Sequence, residues 1–451
     1  MTDDPVVIVG GGFSGTLLAI NLLRHAGPRT VLVERRSDQL GRGVAYSAAN
    51  EEHLLNVRAA NMSALPDEPD HFVQWLEAHG LGNRTTFVPR RIYGAYLRDM
   101  LKEAQREHGD RLTLVEGEAV ATRSAGRGHV VSLSDGRQVK AGTIVLALGN
   151  LPPHTPPGIN PGSLPPGCYA GDPWAGDIVD GLTSEDTVVL VGSGLTAIDA
   201  ALLLDAAGFT GQVLAISRRG LVPRPHVSMP PVLGLRERPG TKLSALVKTV
   251  RARAAEAGWR TAVDELRPVT QMLWGAASDA ERLRFLRHLR PFWDVHRHRL
   301  APSVAERIDA LCASGRLRFA AGKIVSTSAD GDAVDFRWRP RGGSEVMHTR
   351  ARRIVNCTGP QGDLLRSPEA LIRHLLAEGA IRPDALRIGL EVDAQSRVIG
   401  ADGATSDQLY CIGPMTRGGL WEVVAVPDIR QQNWALARRL ANAQWVGGEG
   451  L

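Results

Sequence analysis

Two glycine-rich turns, Gly10–Gly15 and Gly192–Ala197, each join an apolar run to a helix-forming segment, and three later apolar runs close on glycine. This pattern predicts an α/β fold: two Rossmann-like dinucleotide-binding domains, the second carrying a helical insert. The chain has 451 residues, enough for two or three domains, with 43% apolar and 22% charged residues. Such a composition belongs to an ordinary globular chain and excludes a disordered, collagenous or coiled-coil one.

The first unit runs from the apolar stretch Pro5–Gly10 through a helix over Ser14–His25 to a second apolar stretch, Thr30–Glu34. Its turn, Gly10-Gly11-Gly12-Phe13-Ser14-Gly15, satisfies GxGxxG where strand meets helix, and Glu34 ends the second strand 24 residues after Gly10. The glycines let backbone N–H groups approach a pyrophosphate at a helix N-terminus, and the strand-end carboxylate can accept hydrogen bonds from ribose hydroxyls. Spacing alone allows FAD or NAD here.

The second unit runs from Thr187–Gly192 through Gly192-Ser193-Gly194-Leu195-Thr196-Ala197 and a helix to about Ala207, then the strand Gln212–Ser217. This strand ends in Ser217-Arg218-Arg219 instead of a carboxylate. A guanidinium fork there suits the 2′-phosphate of NADPH, although two arginines at a strand end can also be plain solvated surface. Gly192, Ser193, Gly194, Leu195, Thr196, Arg218 and Arg219 are the expected NADPH contacts.

The later runs are Ile144–Asn150, Ile354–Pro360 and Gln408–Gly413, which read as parallel strands buried on both faces. Seven prolines within residues 151–166 make a stiff linker. The expected domains are therefore 1–160 with 350–451, and 161–349. The first resumes near Arg350 because the strands at Ile354 and Tyr410 need a sheet to join and the helix Asp428–Ala441 needs one to cover. Amphipathic segments over Lys242–Ala257, Thr261–Trp274 and Asp279–Arg299 predict the insert, about 221–315.

Charge and cysteine usage narrow the function classes. Net charge is +5, but only five of the 53 basic residues are lysine, and the arginines are scattered among 48 acidic residues. Nucleic-acid binding has little to stand on, and small anions are the expected partners. The four cysteines (Cys168, Cys312, Cys357, Cys411) form no CxxC pair, which fits a reducing cytoplasm; Cys357 reads as a packed core thiol. The acidic N-terminus passes straight into a strand, and no apolar stretch reaches the roughly 18 residues of a spanning helix, so neither export nor membrane insertion is expected.

Leu286, Leu289, Trp293, His296 and Leu300 recur at helical spacing, which places His296 on the apolar face and His298 away from it. Two histidines at i and i+2 share no face, so no metal site is expected. Pro291 should kink this helix. His296, Arg297 and Arg299 are either an anion site for substrate or cofactor, or structural groups paired with a carboxylate such as Asp294.

Several words now join this architecture. They are Gly41-Arg42-Gly43-Val44-Ala45-Tyr46-Ser47, His53-Leu54-Leu55-Asn56-Val57, Pro89-Arg90-Arg91, Trp293–Arg299, and Gly413-Pro414 through Gly418-Gly419-Leu420-Trp421-Glu422. In these the chain resembles flavoproteins that pair FAD with NAD(P)H, a group including flavin monooxygenases and amine N-hydroxylases, and looks most like the YdhS-like FAD/NAD(P)-binding proteins. The resemblance implies FAD in the first unit, with Gly10, Gly12, Phe13, Ser14, Gly15, Glu34, Arg35, Gly149, Gly413 and Trp421 around it. It also brings Asn56 and Glu422 close to the flavin as candidate catalytic groups, and aims the helix near Pro427 at the ring, where its N-terminus would stabilise negative charge. Tyr169-Ala170-Gly171-Asp172-Pro173-Trp174 stands where class B flavin monooxygenases carry an FxGxxxHxxxW-type signature, which sets the chain apart from that subclass; the absence of CxxC sets it apart from disulfide reductases. The implied activity is an NADPH-consuming FAD monooxygenase using O2 on a small polar substrate, an amine or amino acid among them. The alternatives are an FAD-containing NADPH oxidoreductase with another electron acceptor and a non-catalytic nucleotide sensor. Oligomeric state is not readable.

Overall fold

A computed structural model describes residues 4–47, 51–174, 178–227 and 239–442. In chain order the strands are β1 (Val6–Val9), β2 (Thr30–Glu34), β3 (Leu112–Glu116), β4 (Ala119–Ala125), β5 (Gly128–Leu133), β6 (Gln138–Ala141), β7 (Thr143–Leu146) and β8 (Tyr169–Ala170). They continue as β9 (Thr187–Val191), β10 (Gln212–Ser217), β11 (Leu317–Asp330), β12 (Ala333–Pro340), β13 (Met347–Ala351), β14 (Arg353–Asn356), β15 (Arg397–Ile399) and β16 (Thr405–Cys411).

The first sheet has the order β15-β16-β7-β1-β2-β3 and is parallel except for the β15 edge. β1 is buried along its whole length, as its unbroken apolar run requires of a central strand covered on both faces. The helix Phe13–Arg24 that follows is buried from Phe13 to Leu23, because Val426–Leu440 packs over it on one side and Arg90–His108 on another. Phe72, Tyr93 and Tyr96 are fully enclosed in the same core. β4, β5 and β6 form a small antiparallel sheet beside it.

The second sheet has the order β13-β12-β11-β10-β9-β14-β8. β11 serves two partners: Leu317–Ala321 pair in parallel with β10, and from Gly322 onward it pairs antiparallel with β12.

Two expected boundaries change. β13 and β14 lie in the second sheet, with Arg353–Asn356 paired in parallel to Val188–Val191, so the return to the first unit comes after Gly359 and not at Arg350. An apolar run ending in glycine suits the neighbour of either first strand: β14 stands beside β9 as β7 stands beside β1. Leu151 bridges Gln361, so the outgoing and returning chains run side by side. The helix Pro302–Ala313 buries Ala305, Ile308 and Leu311 in the second core and is the crossover between β10 and β11, so the insert ends near Leu300 and not at 315.

The insert consists of Leu243–Asp264, broken at Gly258, then Thr270–Ala276, Asp279–Arg284 and Arg290–Arg297. A π-helical turn at Phe285–Leu289 sits just before Pro291, which occupies the first turn of the last helix. The irregularity expected from the proline falls in the preceding turn because the ring removes a hydrogen bond from that side.

Candidate functional site

The C-terminal edge of the first sheet carries a glycine crevice whose dimensions are set by backbone contact. Gly10 has φ 107°, and a Cβ there would lie 2.4 Å from Ala147 O; one at Gly15 would lie 1.8 Å from Gly10 O. Neither position has room for a side chain, so the helix starts hard against the strand end. No side chain caps that helix, which leaves its first N–H groups available to an anion. Ser14, buried in its first turn, has a hydroxyl with no hydrogen-bond partner among the described residues. Gly413 lies opposite, where a Cβ would come 2.5 Å from Ser14 Oγ, and its N–H donates to Gln432 Oε1 (2.7 Å). Gly149 has φ 68° and faces open space.

Glu34 is buried and accepts from the N–H groups of Gly11 (2.8 Å) and Arg36 (3.1 Å), which leaves carboxylate lone pairs for a ribose. An adenine dinucleotide such as FAD fits these residues: the crevice holds an uncapped helix start, a serine hydroxyl with no partner among the described residues and a strand-end carboxylate. Gly12 meets a second constraint, because a Cβ there would sit 3.3 Å from Gly43 Cα, so part of its requirement for glycine is internal packing.

Three residues expected at this crevice are engaged elsewhere. The Phe13 ring packs against Tyr46 and Tyr93 in the core, so only its backbone serves the helix start. Arg35 pairs with Glu369 (3.1 Å) on the returning chain. The Trp421 ring stacks on Trp274 at 4.6 Å and contacts Phe285 edge-on, facing the insert.

The second crevice repeats the construction. Gly192 has φ 130°, and a Cβ there would lie 2.3 Å from Cys357 O. Gly194 is exposed with no atom near its Cβ position, Thr196 is half-buried with an unbonded hydroxyl among the described residues, and Leu195 leans on the second core. Ser193 departs from expectation: its hydroxyl donates to Leu221 O (2.6 Å) and lies 2.8 Å from Ser217 Oγ, so it holds the 217–221 turn in place of a ligand. Arg218 is exposed and unpaired among the described residues, whereas Arg219 lies over the Phe292 ring at 5.1 Å and reaches Arg287 O. The Cys357 thiol is buried, which pushes its pKa well up and keeps it inert.

The insert cluster corrects the expected anion site. Arg299 is buried and spends both terminal nitrogens on Asp264 (2.8 and 2.9 Å). Arg297 Nε lies 3.1 Å from Glu422 Oε2, an ion pair by distance whose N–H is not aimed at the oxygen. Asp294 pairs with Arg290 (3.3 Å) instead of either. His298, expected to face away, turns inward to lie 3.9 Å from Glu422, because the chain leaves helical geometry at that residue. His296 stacks on Trp259 (5.5 Å); burial, then Arg224, Arg299 and Arg260, lower its pKa and keep it neutral. Among the described residues no group of three His, Cys, Asp or Glu side chains is arranged to hold a metal.

Glu422 is the hub of this cluster. It is buried, takes a hydrogen bond from Trp293 Nε1 (2.8 Å), and adopts φ 70°, a left-handed conformation costly for a residue with a Cβ. Its carboxylate is therefore a positioning group that ties the insert to the C-terminal segment. Asn56 accepts from His226 Nε2 (2.9 Å) through its carbonyl, while its half-buried side-chain amide has no partner among the described residues.

Sequence reasoning missed the seam between the units. Asp199 pairs with Arg90 (2.6 Å), and its carbonyl bonds His53 Nε2 (3.1 Å). A buried carboxylate, Asp199, in the middle of the largely apolar helix Leu195–Ala206 was the signal for it.

Residues 7–151 match a protein-family model described as FAD-NAD(P)-binding. Among solved structures, the chain is similar to L-lysine 6-monooxygenase from Pseudomonas syringae (15% identity, 98% of this chain and 100% of that one, TM-score 0.68). It is also similar to the ornithine N-hydroxylase of Kutzneria sp. 744, solved with reduced FAD, NADP+ and L-ornithine (18%, 98% and 99%, TM-score 0.66). A third is the cadaverine monooxygenase of Erwinia amylovora, solved with FAD (14%, 97% and 94%, TM-score 0.67). The chain thus has the two-dinucleotide-binding-domain flavoprotein fold along essentially its whole length.

Proposed function

We propose that the protein is an FAD-containing, NADPH-consuming monooxygenase that oxygenates a small molecule, with an amine or amino acid as the substrate class. The observation that carries this reading is the pair of matching glycine crevices in one chain, the first enclosed and ending in Glu34, the second open and ending in Arg218. Likeness over the whole chain to three enzymes that act on lysine, ornithine and cadaverine supports the substrate class.

The Gly10–Gly15 turn, Ser14 Oγ and Glu34 would hold FAD, and the Gly192–Thr196 turn with Arg218 would hold NADPH. Bound FAD, reduced by NADPH, would supply the electrons and the activation of O2. The chain's own contribution is positional. The Asn56 amide, unpaired among the described residues, would be offered to flavin or substrate, and Glu422 fixes the insert against the segment that follows Gly413. Within this fold the quoted sequence words support a YdhS-like assignment. The absence of CxxC supports a reducing, cytoplasmic setting, and among the described residues no helix is long and apolar enough to cross a membrane.

The test is NADPH oxidation by the purified yellow protein across amines and amino acids under ¹⁸O2. The expected result is substrate-dependent NADPH consumption with one labelled oxygen in the product. NADPH oxidation without label in any product assigns the protein to electron transfer instead, and no oxidation at all assigns it to nucleotide sensing.

A further inference from the structure

The helices Leu243–Asp264, Thr270–Ala276 and Arg290–Arg297 enclose a cavity of about 330 Å³ that neither nucleotide crevice uses. This volume lies within the range of small-molecule pockets, roughly 300–1,000 Å³. Its walls are apolar, with Leu246, Val250, Leu273 and Phe285 among them. Trp259 and Phe292 also line it and keep 45% and 44% of their surface accessible, a large amount for aromatic residues that face one concave space.

Two of the charged groups around the cavity, Glu281 and Arg282, are already engaged. Glu281 closes a capping box with Ser278, and Arg282 bonds Asp279 and the carbonyls of Trp274 and Gly275. His296 presents a neutral imidazole with no hydrogen bond to its ring among the described residues. Arg251 is exposed and carries no ion pair among the described residues. Such a chamber offers a ligand mainly dispersion and burial, with few charged groups, Arg251, Glu281 and Arg282, in its wall.

Trp421 forms part of the wall. The same segment begins at Gly413, which packs on Ser14 in the first crevice, so residues 413–421 link the cavity to the proposed flavin site. Trp274 Nε1 donates to Gly418 O (2.8 Å) and Gln271 Nε2 donates to Trp421 O, which fixes the segment to the cavity wall.

We propose that this cavity receives the apolar end, alkyl or aryl, of the substrate, so that the preferred amine is lipophilic and not a free amino acid. The inference rests on the monooxygenase reading only in calling the ligand a substrate.

Two measurements on the FAD-loaded full chain test it. The first is tryptophan-sensitised fluorescence of N-phenyl-1-naphthylamine, which needs no turnover. The second is kcat/KM for NADPH oxidation with n-alkylamines from butyl to decyl. Leu246→Trp and Val250→Trp each fill the cavity from a half-buried helix face, so either serves if the other fails to load flavin. The proposal expects saturable probe binding, at least tenfold weaker in the filled variants at unchanged flavin content. It also expects kcat/KM to rise about two- to fourfold per methylene in the parent and to lose that gradient in the variants.

No saturable binding, binding indifferent to both substitutions, or a flat chain-length profile in an NADPH-oxidising protein would overturn it. Probe binding that appears only after residues 228–238 are deleted would also overturn it, by making the chain's own segment the occupant. If the probe binds and the variants weaken it while neither amines nor amino acids drive NADPH oxidation, the cavity stands as a ligand site and the monooxygenase reading falls.

Discussion

The two glycine turns share one motif and differ in what surrounds them. The first is roofed: Gly41 N–H donates to Gly11 O (2.9 Å), Gly43 presses on Gly12, and the helix behind is buried from its first residue. The second is open, with Gly194 exposed and Arg218 reaching into solvent. The third small residue differs as well. Gly15 has no room for a Cβ, whereas the second unit carries a buried Ala197 there, so its helix stands further from the strand end. Under the proposed function, the enclosed setting would suit a resident cofactor and the open one an exchanging cofactor.

Exchanging the third small residues should separate the two crevices most clearly. Gly15→Ala places a methyl 1.8 Å from a backbone oxygen that no rotamer change relieves, so flavin per protein should fall more than tenfold or the protein should fail to fold. Ala197→Gly should cost only about 1 kcal/mol of stability and leave KM for NADPH within about twofold. Absorbance of the purified variants and NADPH kinetics check both, and full flavin loading of Gly15→Ala would show that the first helix does not need its close approach.

A smaller effect is expected at the strand ends. Arg218→Ala removes a charge-assisted contact from an otherwise unpaired guanidinium, which should lower kcat/KM for NADPH by roughly 10- to 100-fold, about 1.5–3 kcal/mol, and leave NADH nearly unchanged. Arg219→Ala should discriminate less, because its stacking on Phe292 makes it part of the insert contact. Equal losses for NADPH and NADH in Arg218→Ala would remove the phosphate role.

What was legible in the sequence divides along the range of the interactions involved. Both turns, their strands and their strand-end charges are set within about 30 residues of chain, and periodicity and glycine placement report such local constraints. Partners chosen across the fold were not legible. Arg299 finds Asp264 on a different insert helix, Arg297 finds Glu422 more than a hundred residues away, and neither uses nearby Asp294. The sequence does not show which sheet β14 joins, because an apolar parallel strand ending in glycine carries no mark of its sheet. The insert cavity is a space between helices, and periodicity describes the faces that surround it without stating how far apart they stand.

The contrast between the two crevices also needs a fixed seam between the units, to which the buried His53 and the half-buried His226 contribute. His53 bonds the carbonyl of Asp199 and His226 bonds the carbonyl of Asn56. Burial is the largest cause lowering the pKa of each below 6.5; the Asp199 charge opposes it at His53, and the hydrogen bond to Asn56 opposes it at His226. A pKa lower in the folded state means that the unfolded chain takes up the proton first as pH falls. The stabilisation is therefore complete above about pH 6.5 and is lost as pH drops from there through the folded-state pKa values. Asp294, Asp384 and Asp428 have raised pKa values and act in the opposite direction, so total acid sensitivity does not isolate the seam. A difference measurement does. His53→Gln with His226→Gln keeps a donor for each carbonyl and removes both titrations, so between pH 7.5 and 5.5 its Tm should fall less than the parent's, by on the order of 2 °C. Parallel slopes in the two proteins would mean that the seam does not titrate and that other contacts, Arg90 with Asp199 and Arg307 with Glu52 among them, hold the units in register.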